Sequence, residues 1–214
     1  MPEIIETIVY QLAELDEAAK DKARAWFREG GFDHDWYDAV YADFVRICTI
    51  LGITLETRTI RLLSGGSRQE PCIHFRGFWS QGDGACFEGR YAYARGASAK
   101  IRAYAPKDTA LHDLADALQT VQGRNFYQLH AQARHRGHYY HEYCMEIAVE
   151  RESPTGQDMT AEAEGVVIEA LRDLARWLYC QLEREYEYQS SDECVDQAIT
   201  ANAYTFTEAG RRFG

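Results

Sequence analysis

Four histidines fall within twelve residues, His130, His135, His138 and His141, with Glu142 and Cys144 beside them. Imidazole, thiolate and carboxylate are the usual ligands of zinc, which makes this run the first candidate for a metal centre. Such a centre needs several donors converging at about 2 Å from one ion. Residues 138–150 alternate apolar and polar side chains, which predicts a strand and sends His138 and His141 to opposite faces. A helix read over residues 126–136 separates His130 from both. No metal is therefore expected, and the chain has no CxxC pair to offer another zinc site.

Nucleophilic chemistry has one candidate, Cys72 and His74, two apart on a predicted strand. A thiol becomes a useful nucleophile when a base and an electropositive setting favour the thiolate. No third residue is placed to orient this pair, so both read as sheet residues. The chain has no GxSxG, HExxH, GxxxxGK[ST] or GxGxxG run. The sequence names no reaction and no cofactor, and a non-catalytic protein is expected.

Recognition chemistry is better represented. Between residues 58 and 107 nine bases stand against three acids, interleaved with Phe75, Phe78, Trp79, Phe87, Tyr91, Tyr93 and Tyr104. Arginine beside aromatic rings on strands is the pattern that pairs phosphates and stacks bases, so Arg76, Trp79, Arg90, Tyr91 and Arg102 make a candidate face for single-stranded nucleic acid. The competing reading pairs these arginines with an acidic C-terminal helix of the same chain. That helix carries Glu183, Glu185 and Glu187, followed by Asp192, Glu193 and Asp196. An acidic run of this kind is either a solvated face or a surface that meets basic groups on a partner. Trp79, Gln81 and Asp83, at the tip of a predicted hairpin, add a shaped anchor to the second possibility.

Several elements must position these residues. Residues 4–12 are β-branched enough for a first strand. Asp16 caps a predicted helix over 17–29 that ends at Gly30 and Gly31. A second helix is expected over 35–51, with Asp33 and Asp35 at its positive end. Strands follow at 54–63, 72–79, 85–95 and 98–104, with a loop at 64–71 and a tight reversal at 80–84. Asp108 caps a third helix that continues past Gly123 through 126–136. A long helix is predicted over 159–188, and Ser190 or Ser191 caps a short one over 192–201 before a β-prone tail at 204–206. The expected fold is α+β: an antiparallel meander with helices packed on one face.

Composition sets the class. The chain has 214 residues, is 46% hydrophobic and 27% charged, and carries a net charge of −11. This excludes disorder and argues against a uniformly basic surface for duplex DNA or anionic lipid. The charge is uneven: residues 142–196 hold 15 acids and 4 bases, which leaves the rest neutral. One domain spanning 1–214 is expected, with a candidate hinge at 151–158 before the acidic helical region. Six cysteines in a chain without a signal-like start read as reduced, and no run is apolar enough to span a membrane, so a cytoplasmic protein is expected.

Three passages carry a resemblance. IHFRGFWSQGDGACFEGRYAY resembles the GFxSQGDGAxFxGxY signature of an uncharacterised family of bacteriophage and prophage proteins. LEREYEYQSSDECVDQAITANAYTFTEAGR is similar to the SDE…ANxYxFTExG end of that family, and TIVYQLAELDEAAKDKARAWFREG to its first helix. The resemblance implies a mobile-element setting, and some family members are loosely labelled antitoxins. Small acidic phage proteins commonly bind and disable host machinery such as CRISPR effectors and restriction enzymes. The expected function is a protein-binding inhibitor of a bacterial defence complex, with Trp79, Gln81, Asp83, Glu183, Glu185, Glu187, Asp192 and Glu193 facing the partner. An antitoxin and a single-stranded nucleic-acid binder remain the alternatives.

Overall fold

Three helices begin where a short polar side chain can satisfy a free amide. Asp16, Asp108 and Ser191 accept from the main-chain N–H of Ala19, Leu111 and Cys194, each three residues on. The computed structural model describes residues 6–31, 35–63 and 65–214. In chain order the elements are β1 (Tyr10–Gln11), α1 (Glu17–Trp26), α2 (Asp38–Leu51), β2 (Ile53–Leu55), β3 (Thr57–Arg61), β4 (Ser67–Pro71), β5 (Ile73–Arg76) and β6 (Gly84–Phe87). They continue with β7 (Gly89–Ala92), α3 (Ala97–Tyr104), α4 (Thr109–Arg124), β8 (Leu129–His135), β9 (Met145–Arg151), α5 (Ala161–Gln189), α6 (Asp192–Ala201), β10 (Thr205–Phe206) and β11 (Arg212–Phe213). The fold is α+β, with antiparallel sheets and a long C-terminal helix.

The chain divides into two compact units, one of residues 1–38 with 184–214, the other of residues 39–183. The divisions fall at the start of α2 and within α5, and the 151–158 segment is the link from β9 to α5.

In the larger unit, β2, β7, β8 and β9 form an antiparallel sheet in that order. Period-two alternation decides its two faces: Leu129, Ala131, Ala133, Met145 and Val149 are buried, while Arg90, Arg134, Glu146 and Glu150 are exposed. Phe44, Ile47 and Leu51 of α2, Ile101 of α3, Leu111 of α4 and Leu171, Leu174 and Leu178 of α5 are fully buried in this unit's core. Phe44 meets Phe87 edge to face at 5.4 Å. Each such side chain contributes about 1.5–3 kcal/mol through burial. Two hairpins, β3–β4 and β5–β6, are inserted between β2 and β7.

The smaller unit is built on Leu12, Leu15, Ala19, Ala23, Phe27, Val195, Ile199 and Phe206, with Trp26 and Tyr204 packed against them. Its sheet is β1–β10–β11. Arg24 of α1 clasps Asp196 of α6 through two hydrogen bonds of 2.8 and 2.7 Å.

Several sequence expectations need correction. The first strand is only Tyr10–Gln11, followed by a 3-10 turn over Leu12–Glu14; residues 4 and 5, like Asp33, lie outside the described residues. The expected loop at 64–71 is largely β4, paired with β3 from Thr57↔Pro71 to Arg61↔Ser67. Residues 98–104 are helical, because Ala97 and Ile101 bury at a spacing of four while Gly96, at φ 77, turns the chain out of β7. Residues 126–136 are mainly β8, where Leu129, Ala131 and Ala133 bury at a spacing of two and both edges pair. The expected strand at 138–150 starts only at Met145, after a loop and a 3-10 turn capped by His141.

Candidate functional site

The β5–β6 hairpin closes with Arg76 opposite Gly84, so residues 77–83 form its loop. Asp83 organises that loop from its end. Its Oδ2 accepts from the main-chain N–H of Trp79 at 3.1 Å and of Ser80 at 2.7 Å, and its own N–H donates to Ser80 O at 3.1 Å. The carboxylate fits because Gly77 has no side chain: a Cβ there would stand 2.4 Å from Oδ2, and its φ of +51 already favours glycine.

The two aromatic residues of the loop then part company. Phe78 stacks on Phe75 at 6.0 Å and lies 5.5 Å from Tyr179 of α5. Trp79 touches Phe78 edge to face at 6.0 Å yet remains 77% exposed. A second loop, between β8 and β9, packs beside this one. Gly82, at φ +91, lies so close to Tyr139 that a Cβ would be 2.8 Å from the ring, and the Gly84 backbone runs against His141. Tyr139 stacks on His141, His141 meets Tyr143 edge to face, and the Arg172 guanidinium covers Tyr143 at 5.3 Å. Tyr139 and Tyr143 are 49% and 65% exposed. Trp79 on one loop, and Tyr139 and Tyr143 on the loop packed beside it, are thus exposed aromatic residues of this unit.

The histidines support these loops. His141 Nδ1 accepts from the Tyr143 N–H at 3.1 Å, which places the imidazole proton on Nε2, 3.5 Å from Cys144 Sγ. In that tautomer His141 donates to the sulfur and is not set to take a proton from it. His74 stacks on Tyr140 at 5.1 Å, and His135 flanks the same ring at 4.9 Å. Burial lowers the His74 pKa, helped by Arg58 and His135 against Glu88; burial, with Glu88, raises the Cys72 thiol. Both shifts favour the neutral forms, the opposite of a thiolate–imidazolium pair. His130 pairs with Glu150 across the sheet and lies 3.6 Å from Glu152, while His138 is exposed in the loop. Among the described residues no three His, Cys, Asp or Glu side chains are arranged to hold a metal ion.

The sequence-selected residues separate into groups. Trp79, Gln81 and Asp83 share the β5–β6 loop, and Glu183 is near it: after burial, Glu183 and then Asp83 raise the pKa of the Tyr179 hydroxyl. Glu185, Glu187, Asp192 and Glu193 belong to the smaller unit. There Glu185 accepts from Gln189 at 2.8 Å, and Asp192 pairs with Arg28, which lowers its pKa. Glu187 and Glu193 are exposed. The acidic segment is therefore partly neutralised, by Arg24 of α1 and by Arg28 in the π-helical turn Phe27–Gly31 that follows it. Arg58 and Arg68 pair instead with Glu70, Arg90 with Glu56, and Arg102 with Asp116.

The five residues of the expected nucleic-acid face do not share a face. Tyr91 is 3% exposed, receives a hydrogen bond from Gln122, and has its pKa pushed up to about 12 by burial. Its strand neighbour Arg90 points the other way, and Arg102 lies on α3, engaged with Asp116. Arg76 and Trp79 remain exposed near the hairpin tip. The sequence places Tyr139 and Tyr143 on one strand face with Met145, Ile147 and Val149, and so does not single them out as exposed loop residues.

No curated protein and no solved structure matches the chain. Residues 36–192 match the domain of unknown function DUF8835, a span that contains both aromatic loops and most of the acidic segment. The chain belongs to the DUF8835 family.

Proposed function

We propose that the protein is a non-catalytic binding protein that docks a partner protein through the surface of Trp79, Tyr139 and Tyr143. The observation that carries this reading is Trp79 itself: a large ring 77% exposed on a loop whose backbone Asp83 holds in place. Tryptophan and tyrosine dominate protein-binding hot spots because they bury much area while losing few rotamers. A preorganised loop also reduces the entropy lost on docking. Glu183 beside the loop supplies charge that suits a basic partner; the smaller unit, by itself, exposes the acids Glu187 and Glu193.

The resemblance to phage and prophage proteins supports the setting. The partner is a component of a bacterial defence complex, a CRISPR effector or a restriction enzyme, and the protein blocks it stoichiometrically in the bacterial cytoplasm. The test is phage plating on hosts carrying such a system, with the protein expressed from a plasmid. Wild type is expected to restore plating; Trp79→Ala is expected to abolish the effect, and Glu183→Lys with Glu187→Lys to weaken it. Full restoration by Trp79→Ala would overturn the assignment of the surface. Neutralisation of a co-expressed toxin, with no effect on plating, would replace the defence complex with a toxin.

A further inference from the structure

Between α4 and β8 the chain passes through two consecutive residues in left-handed backbone, Phe126 at φ 58 and Tyr127 at φ 62. Bulky side chains rarely adopt this conformation, and where they do the strain is held by surrounding structure. Here the holding groups are buried. Gln122 is fully buried, donates to Leu129 O at 2.7 Å and accepts from Leu129 N–H at 3.2 Å; its own carbonyl accepts from Tyr127 N–H at 2.7 Å. Asn125, 1% exposed, donates to Val121 O.

What the strained turn delivers is exposed aromatic surface. Phe126 and Tyr127 are 67% and 48% exposed, and the Tyr93 ring lies 4.4 Å from Tyr127. The Arg151 guanidinium covers Phe126 at 5.5 Å. Its hydrogen-bond acceptors, Gln128 Oε1, Asp158 O and Gln157 Oε1, are all uncharged. Arg95, two residues beyond Tyr93, is exposed. Among the described residues neither arginine has a carboxylate within 4.0 Å.

We propose that this turn binds single-stranded nucleic acid, with bases stacking on Phe126 and Tyr127 and phosphates meeting Arg151 and Arg95. Ring faces beside uncompensated guanidinium groups are the chemistry that holds a flexible polyanion carrying planar bases. An apolar peptide would use the rings and leave both cations without a counter-charge. The site is distinct from the residues chosen by sequence, of which Tyr91 is buried and Arg102 already paired.

The test is fluorescence anisotropy of labelled oligo-dT and oligo-U of about 15 bases, titrated with the full chain at low salt. Wild type is expected to bind, and the affinity to fall steeply between about 50 and 200 mM salt. Phe126→Gly is expected to weaken binding about tenfold while melting at the same temperature as wild type or higher, because glycine accepts this backbone without strain. Arg95→Gln is expected to lower the salt slope by about one. A flat titration at low salt, or unchanged affinity in Phe126→Gly, would overturn the proposal. So would a large loss of stability in Phe126→Gly, which would make the ring a structural group. Equal competition by free UMP would assign the site to a mononucleotide and also count against it.

Discussion

Asp83 holds Trp79 by its main chain while the side chain stays largely exposed: Oδ2 accepts from the Trp79 N–H at 3.1 Å, and the residue is 77% exposed. The same oxygen accepts from Ser80 at 2.7 Å, so one carboxylate fixes two consecutive amides of a seven-residue loop. Holding the backbone and displaying the side chain are therefore separate jobs, and substitutions at the two residues should have separable effects. Trp79→Ala should leave stability within about 0.5 kcal/mol, as an exposed substitution does. Asp83→Ala removes two hydrogen bonds to a charged group and should cost about 2 kcal/mol. Urea denaturation measures both, and amide exchange at Trp79 and Ser80 should speed up in Asp83→Ala alone.

Gly77 and Gly82 should be intolerant of alanine for different reasons. At Gly77 the new Cβ would meet the Asp83 carboxylate at 2.4 Å, and at Gly82 the Tyr139 ring at 2.8 Å. Both positions also have positive φ, which adds about 1 kcal/mol to the cost. Gly77→Ala should reproduce the exchange pattern of Asp83→Ala. Gly82→Ala should instead separate the two loops, seen as loss of nuclear Overhauser contacts from Gly82 to the Tyr139 ring.

Within the smaller unit the Arg24–Asp196 clasp should matter more than the exposed acids around it. The Arg24 side chain is 12% exposed, and hydrogen bonding to Asp196 is the main influence raising its pKa. Asp196→Ala leaves a largely buried guanidinium without its two-point partner and should cost about 2 kcal/mol. Glu193→Ala, at an exposed position, should change stability by less than about 0.5 kcal/mol. Chemical denaturation of the two variants side by side checks the contrast.

Two pH effects follow from the environments of His74 and Asp116. His74 titrates below its ordinary value in the fold, chiefly through burial, whereas the unfolded chain takes up its proton near 6.5. Stability is therefore full above that value and declines as pH falls through and below it, and His74→Gln should flatten the melting temperature between about pH 7.5 and 5.5. Asp116 is held at about 2 by hydrogen bonds from Arg102 and Ser98. Its contribution is complete above the unfolded value of about 3.9 and disappears as pH falls toward about 2. Asp116→Asn should remove that acid-side loss.

Much of the fold is legible in single residues. Asp16, Asp108 and Ser191 each cap the helix that follows them. The stripe of Val167, Ala170, Leu171, Leu174, Leu178 and Leu182 is the buried face of α5. The errors come from places where tertiary structure overrides local preference. No propensity anticipates two left-handed aromatic residues at 126–127, and without that turn a helix reading runs on into β8. Residues 138–144 do not keep the alternation of β9; they form a loop and a 3-10 turn capped by His141, in which Tyr139 and Tyr143 are exposed. Trp79, Gln81 and Asp83 were recognisable as a loop tip from their glycines, though the division of labour between Asp83 and Trp79 needs the hydrogen bonds. The net charge, in contrast, says little until Asp192 and Asp196 are seen to be paired with Arg28 and Arg24.

The proposed binding surface is tested most directly by parallel affinity capture from a defence-competent bacterial lysate, using wild type, Trp79→Ala and Glu187→Lys at matched folding and concentration. Wild type should retain a stoichiometric component of a defence complex. Trp79→Ala should lose it, a hot-spot loss of about 2 kcal/mol or more, or roughly thirtyfold in affinity. The same proteins captured in the same amounts by wild type and Trp79→Ala would contradict the assignment of this surface.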